Sequence, residues 1–477
     1  MEDGQQTPDI KIAPLMAVLI SGAFIAILNQ TLLVTALPHI MNDLHLTENT
    51  AQWLTTIFML VNGIMIPITA FLMETFTTRK LFLTAMGLFI AGTMICAFAP
   101  SFFILMVGRV LQASGAGIMM PLMQTIFFII FPIEKRGQAM GLFGLVIAFA
   151  PAIGPTLSGY IVDQFPWRAL FFIILPIAVI DLLFAYLLLK NVTKQTFPKL
   201  DILSIILSTL GFGGILYGFS SAGNYGWGSS QVVLTILVGV TSLITFILRQ
   251  FRLKQPILQF KVFKYPAFTI STVLGMVVFI TMIGGATILP IYMQNMHHYT
   301  AFQSGLMLLP GAIVMGIMNP ISGRIFDKFG AKWLAVIGLI LVTISTFMFT
   351  NLTATTSFSF LAVVNAVRML GVSMVMMPVT TAGLNQLPIR LIPHGSAMNN
   401  TMRQVSASIG TALLVTIMTS SALDPAKYGT EGMIHGVNIA FMVAGSLAAV
   451  GIILAFFLKK PESEAPEAKG QIASGKQ

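Results

Sequence analysis

Continuous apolar stretches, each long enough to cross a bilayer, follow one another along almost the whole chain, and no other feature limits its fold so severely. About 20 apolar residues span the hydrocarbon core of a membrane as a helix. A backbone in lipid must satisfy its own hydrogen bonds, so only helices and closed barrels span. The runs here are unbroken rather than alternating, which argues against barrel strands. Fourteen spans are read: 13–36, 52–73, 81–99, 102–124, 138–162, 169–189, 201–220, 231–248, 268–291, 303–323, 333–350, 357–380, 397–420 and 436–458. Charged residues are 9% of the chain against 56% hydrophobic, a balance that excludes an ordinary soluble domain. The fold class is an all-α polytopic membrane protein.

Charge placement orients the spans. With the N-terminus placed in the cytoplasm, 21 of the 26 Lys and Arg fall in inner segments. Only Arg168 and Lys427 fall outside, while Arg109, Arg368 and Arg403 lie within spans. The bias predicts that both termini are cytoplasmic. It also accounts for a net charge of +10 without nucleic acid, since basic loops face anionic inner-leaflet lipid. The first apolar run lacks a small-residue cleavage site and reads as a retained anchor. Cys96 is the only cysteine, so no internal disulfide forms, and it reads as a core residue.

The chain repeats itself. Ala70-Phe71-Leu72-Met73-Glu74-Thr75-Phe76-Thr77-Thr78-Arg79-Lys80 follows span two, and Gly323-Arg324-Ile325-Phe326-Asp327-Lys328-Phe329-Gly330-Ala331-Lys332 follows span ten. Each sets an acid four residues after a small one, an aromatic two later, then basic residues. Arg109-Val110-Leu111-Gln112-Ala113-Ser114 in span four likewise matches Arg368-Met369-Leu370-Gly371-Val372-Ser373 in span twelve. Both matches shift by eight spans, which implies duplication with two spans inserted. The expected units are a tail 1–12, a six-helix bundle 13–189, two inserted helices 190–267, a second bundle 268–458, and a disordered tail 459–477.

Three further motifs stand out: Leu28-Asn29-Gln30-Thr31 with Ala36-Leu37-Pro38 in span one, Ala150-Pro151-Ala152-Ile153-Gly154-Pro155 with Ser158-Gly159 in span five, and Asn400-Thr401-Met402-Arg403-Gln404 with Gly410 in span thirteen. On these residues the chain resembles the major facilitator superfamily over nearly all of 13–458. Within it, the likeness is to the fourteen-span drug:proton antiporter branch (EmrB/QacA-like), above all its lincomycin-efflux type. The resemblance implies two six-helix bundles plus two inserted helices and a proton-driven exporter of hydrophobic or amphipathic antimicrobials, lincosamide-like or other. It makes Pro151, Gly154, Pro155 and Gly159 the antiporter motif, and gives the acidic–basic loops a charge relay that stabilises the outward-open state. Spans one, four, nine and twelve are implied to line the cavity. The family's usual aspartate is replaced by Asn29, and Thr77 and Glu74 depart from a glycine and an aspartate in the loop pattern.

Proton-coupling or conformational candidates are Arg109, Glu74, Asp181, Asp327, Arg79, Arg324 and Arg403. A guanidinium inside a bilayer costs about 2.5–3.5 kcal/mol on insertion scales, so Arg109 either ties carbonyls and Gln112 together or takes part in coupling. Asn29 and Arg109 fall at a shared depth by helical rise, yet an amide does not titrate, and coupling passes to Glu74, Asp181, Asp327 or water around Arg109. Glu74 and Asp327 read as gating-loop acids or as surface ion pairs with nearby Arg and Lys, and Asp201 as an interfacial helix cap. Asn29, Gln30, Asn62, Met120, Gln124, Asn365 and Met369 are cavity candidates, each otherwise core packing or inter-helix glue. The six histidines fall in loops or at helix ends. No metal, cofactor, nucleotide loop or catalytic cluster is expected, so the chain does not read as an enzyme. The expected partners are drugs, protons and lipid, with the chain acting as a monomer. Export of an endogenous lipid or metabolite on the same fold is the alternative.

Overall fold

The structure, a computed structural model, describes residues 12–193 and 195–458. Among them are fourteen α-helices and no strand. These are α1 (Ile12–Leu44), α2 (Glu48–Thr75), α3 (Thr78–Ala97), α4 (Phe102–Ile130), α5 (Arg136–Gln164), α6 (Ala169–Leu188), α7 (Ile202–Tyr225), α8 (Ser230–Arg252), α9 (Pro266–His297), α10 (Ala301–Phe329), α11 (Lys332–Met348), α12 (Phe358–Asn385), α13 (Ile392–Ser420) and α14 (Pro425–Phe456). Each expected span coincides with one helix. The expected tails lie, apart from Ile12, outside the described residues.

Several helices outrun their spans. α1 continues through Pro38 to Leu44, and α10 runs six residues past 323. Hydropathy reports the lipid slab, whereas a helix continues until its backbone is capped, and neighbouring helices tolerate an interior proline. Among the described residues, thirteen helices are long and apolar enough to cross a membrane by composition. α13 falls short because it contains His394, Asn399, Asn400, Arg403 and Gln404.

Packing repeats with the sequence. α1 packs on α5, α2 on α4, α3 on α4 and α6; in register, α9 packs on α13, α10 on α12, α11 on α12 and α14. The two halves meet at α5 against α10 and at α2 against α13. The first seam is tight. A Cβ on Gly323 would lie 2.1 Å from the Gly137 carbonyl oxygen, and one on Gly141 would lie 2.6 Å from that of Asn319. Small residues let these backbones touch where lipid offers no hydrophobic drive.

α7 and α8 pair through glycines, Gly214 against Gly239 among them, and α7 lies against both α2 and α13. α8 shows an apolar outer face, with Leu234, Leu237, Ile244, Leu248 and Phe251 each more than half exposed. Asp201 precedes α7, but it makes no side-chain cap. Its carboxylate instead receives Arg249 Nε at 2.8 Å, Arg249 Nη2 at 3.0 Å and Ser204 Oγ at 2.6 Å. A two-pronged guanidinium satisfies a carboxylate better than one amide does, so the acid clamps α8 to α7. Those bonds hold the Asp201 carboxyl down at about 2.

Candidate functional site

A cavity of about 500 Å³ opens between the halves, on the α2–α13 side. It is lined from α1 by Ala26, Ile27 and Gln30, from α2 by Met59, Asn62 and neighbours, and from α4 by Met120. α5 contributes Pro151, α9 Phe279 and Met282, and α12 Met376. α13 presents Asn400, Arg403, Gln404, Ala407, Ser408, Thr411 and Val415 at steps of three and four, one helical face. That face is why α13 is too polar for a lipid-facing span. α7 closes the wall with Leu216, Phe219 and Ser220.

Among the described residues, Arg403 is the one charged side chain lining this space. It is 4% exposed, donates to Thr380 Oγ1, and leaves Nε with no hydrogen-bond partner. Asn400 Nδ2, on the same face, donates to Gln124 Oε1 at 2.7 Å. Gln124 is therefore buried behind the wall and positions Asn400.

The other expected cavity residues divide. Gln30, Asn62 and Met120 line the space; Asn29, Gln124, Asn365 and Met369 do not. Asn29 is buried with Nδ2 unpartnered, and no hydrogen bond joins it to Arg109. Asn365 Oδ1 accepts from Arg368 Nη2 at 3.1 Å, which makes it a partner of the second intramembrane arginine. Met369 is buried beside Gly311 of α10.

Arg109 is wholly buried away from the cavity. Its Nε donates to the Leu54 carbonyl at 3.1 Å and its Nη1 to Gln112 Oε1 at 3.0 Å, with the Phe58 ring at 4.2 Å. Gln112 passes the network on to Thr93 Oγ1 at 2.9 Å. Asp181 is likewise buried elsewhere, between α6 and α1, where Ser21 Oγ donates to Oδ1 and Oδ2 has no partner. Arg109 and Asp181 share no partner.

The gating acids are not surface ion pairs with neighbouring bases. Asp327, ending α10, takes the first N–H groups of α5: Gly137 to Oδ1 at 2.7 Å and Gln138 to Oδ2 at 2.9 Å. Glu74, ending α2, lies in the repeat-related place. It meets His394 Nε2 at 3.0 Å, at the start of α13. His394-Gly395-Ser396-Ala397-Met398 follows the pattern of Arg136-Gly137-Gln138-Ala139-Met140. The two acids thus latch the halves at the end with the basic loops, each against the counterpart helix start. His394 sits at a helix end, as expected, but is fully buried there, and its Nδ1 accepts the Gln259 backbone N–H at 3.4 Å. Arg79 turns to α6, above the Tyr186 ring at 4.8 Å, and Arg324 is exposed.

The span-five motif fits α5 to α1. A Cβ on Gly154 would lie 2.1 Å from Thr31 Oγ1, and Ser158 Oγ donates to the Leu32 carbonyl at 2.6 Å. Pro155 continues α5 one residue beyond Gly154. Gly159 has nothing within 4 Å of a Cβ, so close packing does not require it. Sequence reading named Gln404 in the span-thirteen motif without giving it a place in the cavity, and it missed Ser408, Thr411, the α7 wall and the His394 latch. The three- and four-residue spacing of polar side chains along α13 was the available signal for the first group. Among the described residues no group of three His, Cys, Asp or Glu is placed to hold a metal ion.

The signature of the Major Facilitator Superfamily matches residues 19–411. The chain is 59% identical over 457 residues to the uncharacterized MFS-type transporter YcnB of Bacillus subtilis, covering 95% of this chain and 96% of that one. It is 44% identical to the lincomycin resistance protein LmrB of Listeria innocua, covering 94% and 98%. The crystal structure of the human organic anion transporter MFSD10 (TETRAN) superposes with a TM-score of 0.68 at 12% identity, covering 94% of this chain and 100% of that one, and so shares the fold. A repeated helical architecture, an inter-bundle cavity and relatives matched nearly end to end agree: the chain is a multi-pass transporter of the bacterial plasma membrane and belongs to the Major Facilitator Superfamily.

Proposed function

We propose that this transporter exports hydrophobic or amphipathic antimicrobials in exchange for protons, rocking two bundles, 13–189 and 268–458, about the cavity. The cavity itself is the main support. Met59, Met120, Met282, Met376 and Phe279 give it a deformable apolar wall, suited to varied shapes. Gln30, Asn62, Asn400, Gln404 and Ser408 offer a few hydrogen bonds for orientation. The 44% identity to a lincomycin resistance protein supports the same class of cargo.

No carboxylate lines the space. Cargo and proton therefore act at different places, and the coupling candidates are Glu74, Asp181 and Asp327. Protonating Asp327 weakens the bonds it accepts from two amides across the seam, and protonating Glu74 likewise weakens the bond it accepts from His394 Nε2. Either event loosens the latched end, which the positive-inside bias puts in the cytoplasm. One charge moving through 100 mV supplies about 2.3 kcal/mol, enough for a gradient of roughly 50-fold.

The test is drug-triggered proton release from acidified inverted vesicles. Asp181→Asn, Glu74→Gln, Asp327→Asn and Arg109→Ala are compared with wild type. Reduced release in at least one carboxylate variant is expected. Wild-type release in all four would remove the coupling assignment, and drug accumulation that persists in uncoupled vesicles would remove antiport altogether.

A further inference from the structure

A second pocket, of about 290 Å³, lies at the basic end and outside the transport path. Lys254, Lys261, Lys264 and Arg390 line it together with Gln259 and Tyr265, and no acid does. None of the four cations forms an ion pair among the described residues. The nearby acids are already engaged, Asp201 by Arg249 and Glu74 by His394.

The pocket is built rather than incidental. Residues Phe260–Lys264 form a 3-10 turn. Side chains three apart eclipse in that geometry, so Lys261 and Lys264 stand on one face. A ladder of rings fixes the turn: Phe246 to Phe260 at 6.0 Å, Phe260 to Phe263 at 6.5 Å and Phe263 to Phe268 at 5.7 Å. Val262 and Leu258 are fully buried beneath it. Arg390 comes from a second 3-10 turn, Ile389–Leu391, just before α13. Four like charges held facing one space repel one another until an anion enters.

The surroundings specify which anion. The pocket adjoins the end of α8, whose outer face exposes Ile244 at 54%, Leu248 at 55% and Phe251 at 60%. Ile389, beside Arg390, is 69% exposed. Apolar surface running from lipid depth up to a cationic pocket matches a molecule with acyl chains and a phosphate. We infer that Lys254, Lys261, Lys264 and Arg390 bind the phosphate of an anionic phospholipid whose chains lie along α8. Basic pockets at the cytoplasmic ends of transmembrane helices take such headgroups. The site also touches the latch, because Gln259 lines it and donates its amide to His394. The assignment holds whatever the transported cargo.

The experiment uses the full chain purified in detergent. Short-chain phosphatidylglycerol, short-chain phosphatidylcholine and inorganic phosphate are titrated while thermal unfolding and retained lipid, by native mass spectrometry, are read. Phosphatidylglycerol is expected to stabilise, with an effect that weakens as salt rises, and the other two are not. The variant Lys254→Gln/Lys261→Gln/Lys264→Gln/Arg390→Gln is compared with Lys80→Gln/Lys135→Gln/Lys190→Gln/Lys328→Gln, which removes equal charge elsewhere on this end. Phosphatidylglycerol affinity is expected to fall about tenfold or more in the first and little in the second. Equal loss in both would reduce the effect to diffuse attraction and overturn the site. Equal response to inorganic phosphate would overturn the lipid assignment in favour of a soluble phosphate. If the fourfold pocket variant does not fold, Lys261→Gln and Arg390→Gln are titrated singly against Lys80→Gln, and equal affinity in all three overturns the site.

Discussion

At the scale of single residues, the cavity's electrostatics come from Arg403. A cationic drug about 8 Å away, at an effective dielectric near 20, feels about 2 kcal/mol of repulsion, roughly 30-fold in affinity. Arg403→Gln is therefore expected to widen export toward permanently cationic dyes while export of neutral drugs persists. Dye efflux from loaded cells checks this, and an unchanged cation preference would count against Arg403 as a selectivity element. Arg109 answers to a different logic. It is held by the Leu54 carbonyl, Gln112 and the Phe58 face, with Nη2 already unpartnered. Gln112→Leu takes away a partner and breaks the link to Thr93, at an expected cost of about 1–3 kcal/mol. Thermal unfolding in detergent measures that loss.

Among the elements, glycines decide how closely the halves approach. Gly323→Val forces a side chain into the Gly137 carbonyl, 2.1 Å from the first added carbon, and overpacking of this kind costs about 1–3 kcal/mol. Gly159→Ala meets nothing within 4 Å and is expected to stay within about 0.5 kcal/mol. Comparing the two melting temperatures separates packing from motif membership. The α7–α8 clamp gives a pH signature. Asp201 titrates near 2 rather than 3.8, so its contribution is complete above pH 4 and disappears as pH falls toward 2. A melting temperature that drops in this window, and does so less in Arg249→Gln, is the expected result. The helices were legible because lipid forces most of each span to be apolar. Their ends were not, since caps and prolines answer to neighbours. Gln30, Asn62 and Met120 were legible as polar or soft residues at mid-span. Span 397–420 and its Asn400–Gln404 motif were legible, but that the stripe faces a cavity was not, because that depends on how α2, α7 and α13 pack. The Glu74–His394 pair was hidden because 320 positions separate its members, and only the folded repeat brings them together.

Across the whole molecule, the two seams are alike in ancestry and unlike in use. α5 and α10 meet along glycines with no room between them, whereas α2 and α13 part around the cavity and admit α7. α7 is tied to α13 by Ser408 Oγ to the Leu216 carbonyl at 3.2 Å, and the turn after α7 by Trp227 Nε1 to Thr416 Oγ1 at 2.7 Å. It is tied to α2 by the Trp53–Tyr217 stack at 5.4 Å. The inserted helix thus bridges the halves away from the latched end. Opening at the basic end then requires both acid latches to release, because either one alone still fixes one half to the other. Glu74→Gln with Asp327→Asn is expected to lengthen the distance between the α2 end and the α13 start more than the sum of the single changes. Spin labels at Phe76→Cys and Ile389→Cys, 46% and 69% exposed, report it. Cys96 is fully buried and the only native thiol, so Cys96→Ala leaves a clean background. An unchanged distance distribution in the double variant would mean that these carboxylates do not hold the basic end shut, and the gate would have to be sought in the glycine seam instead.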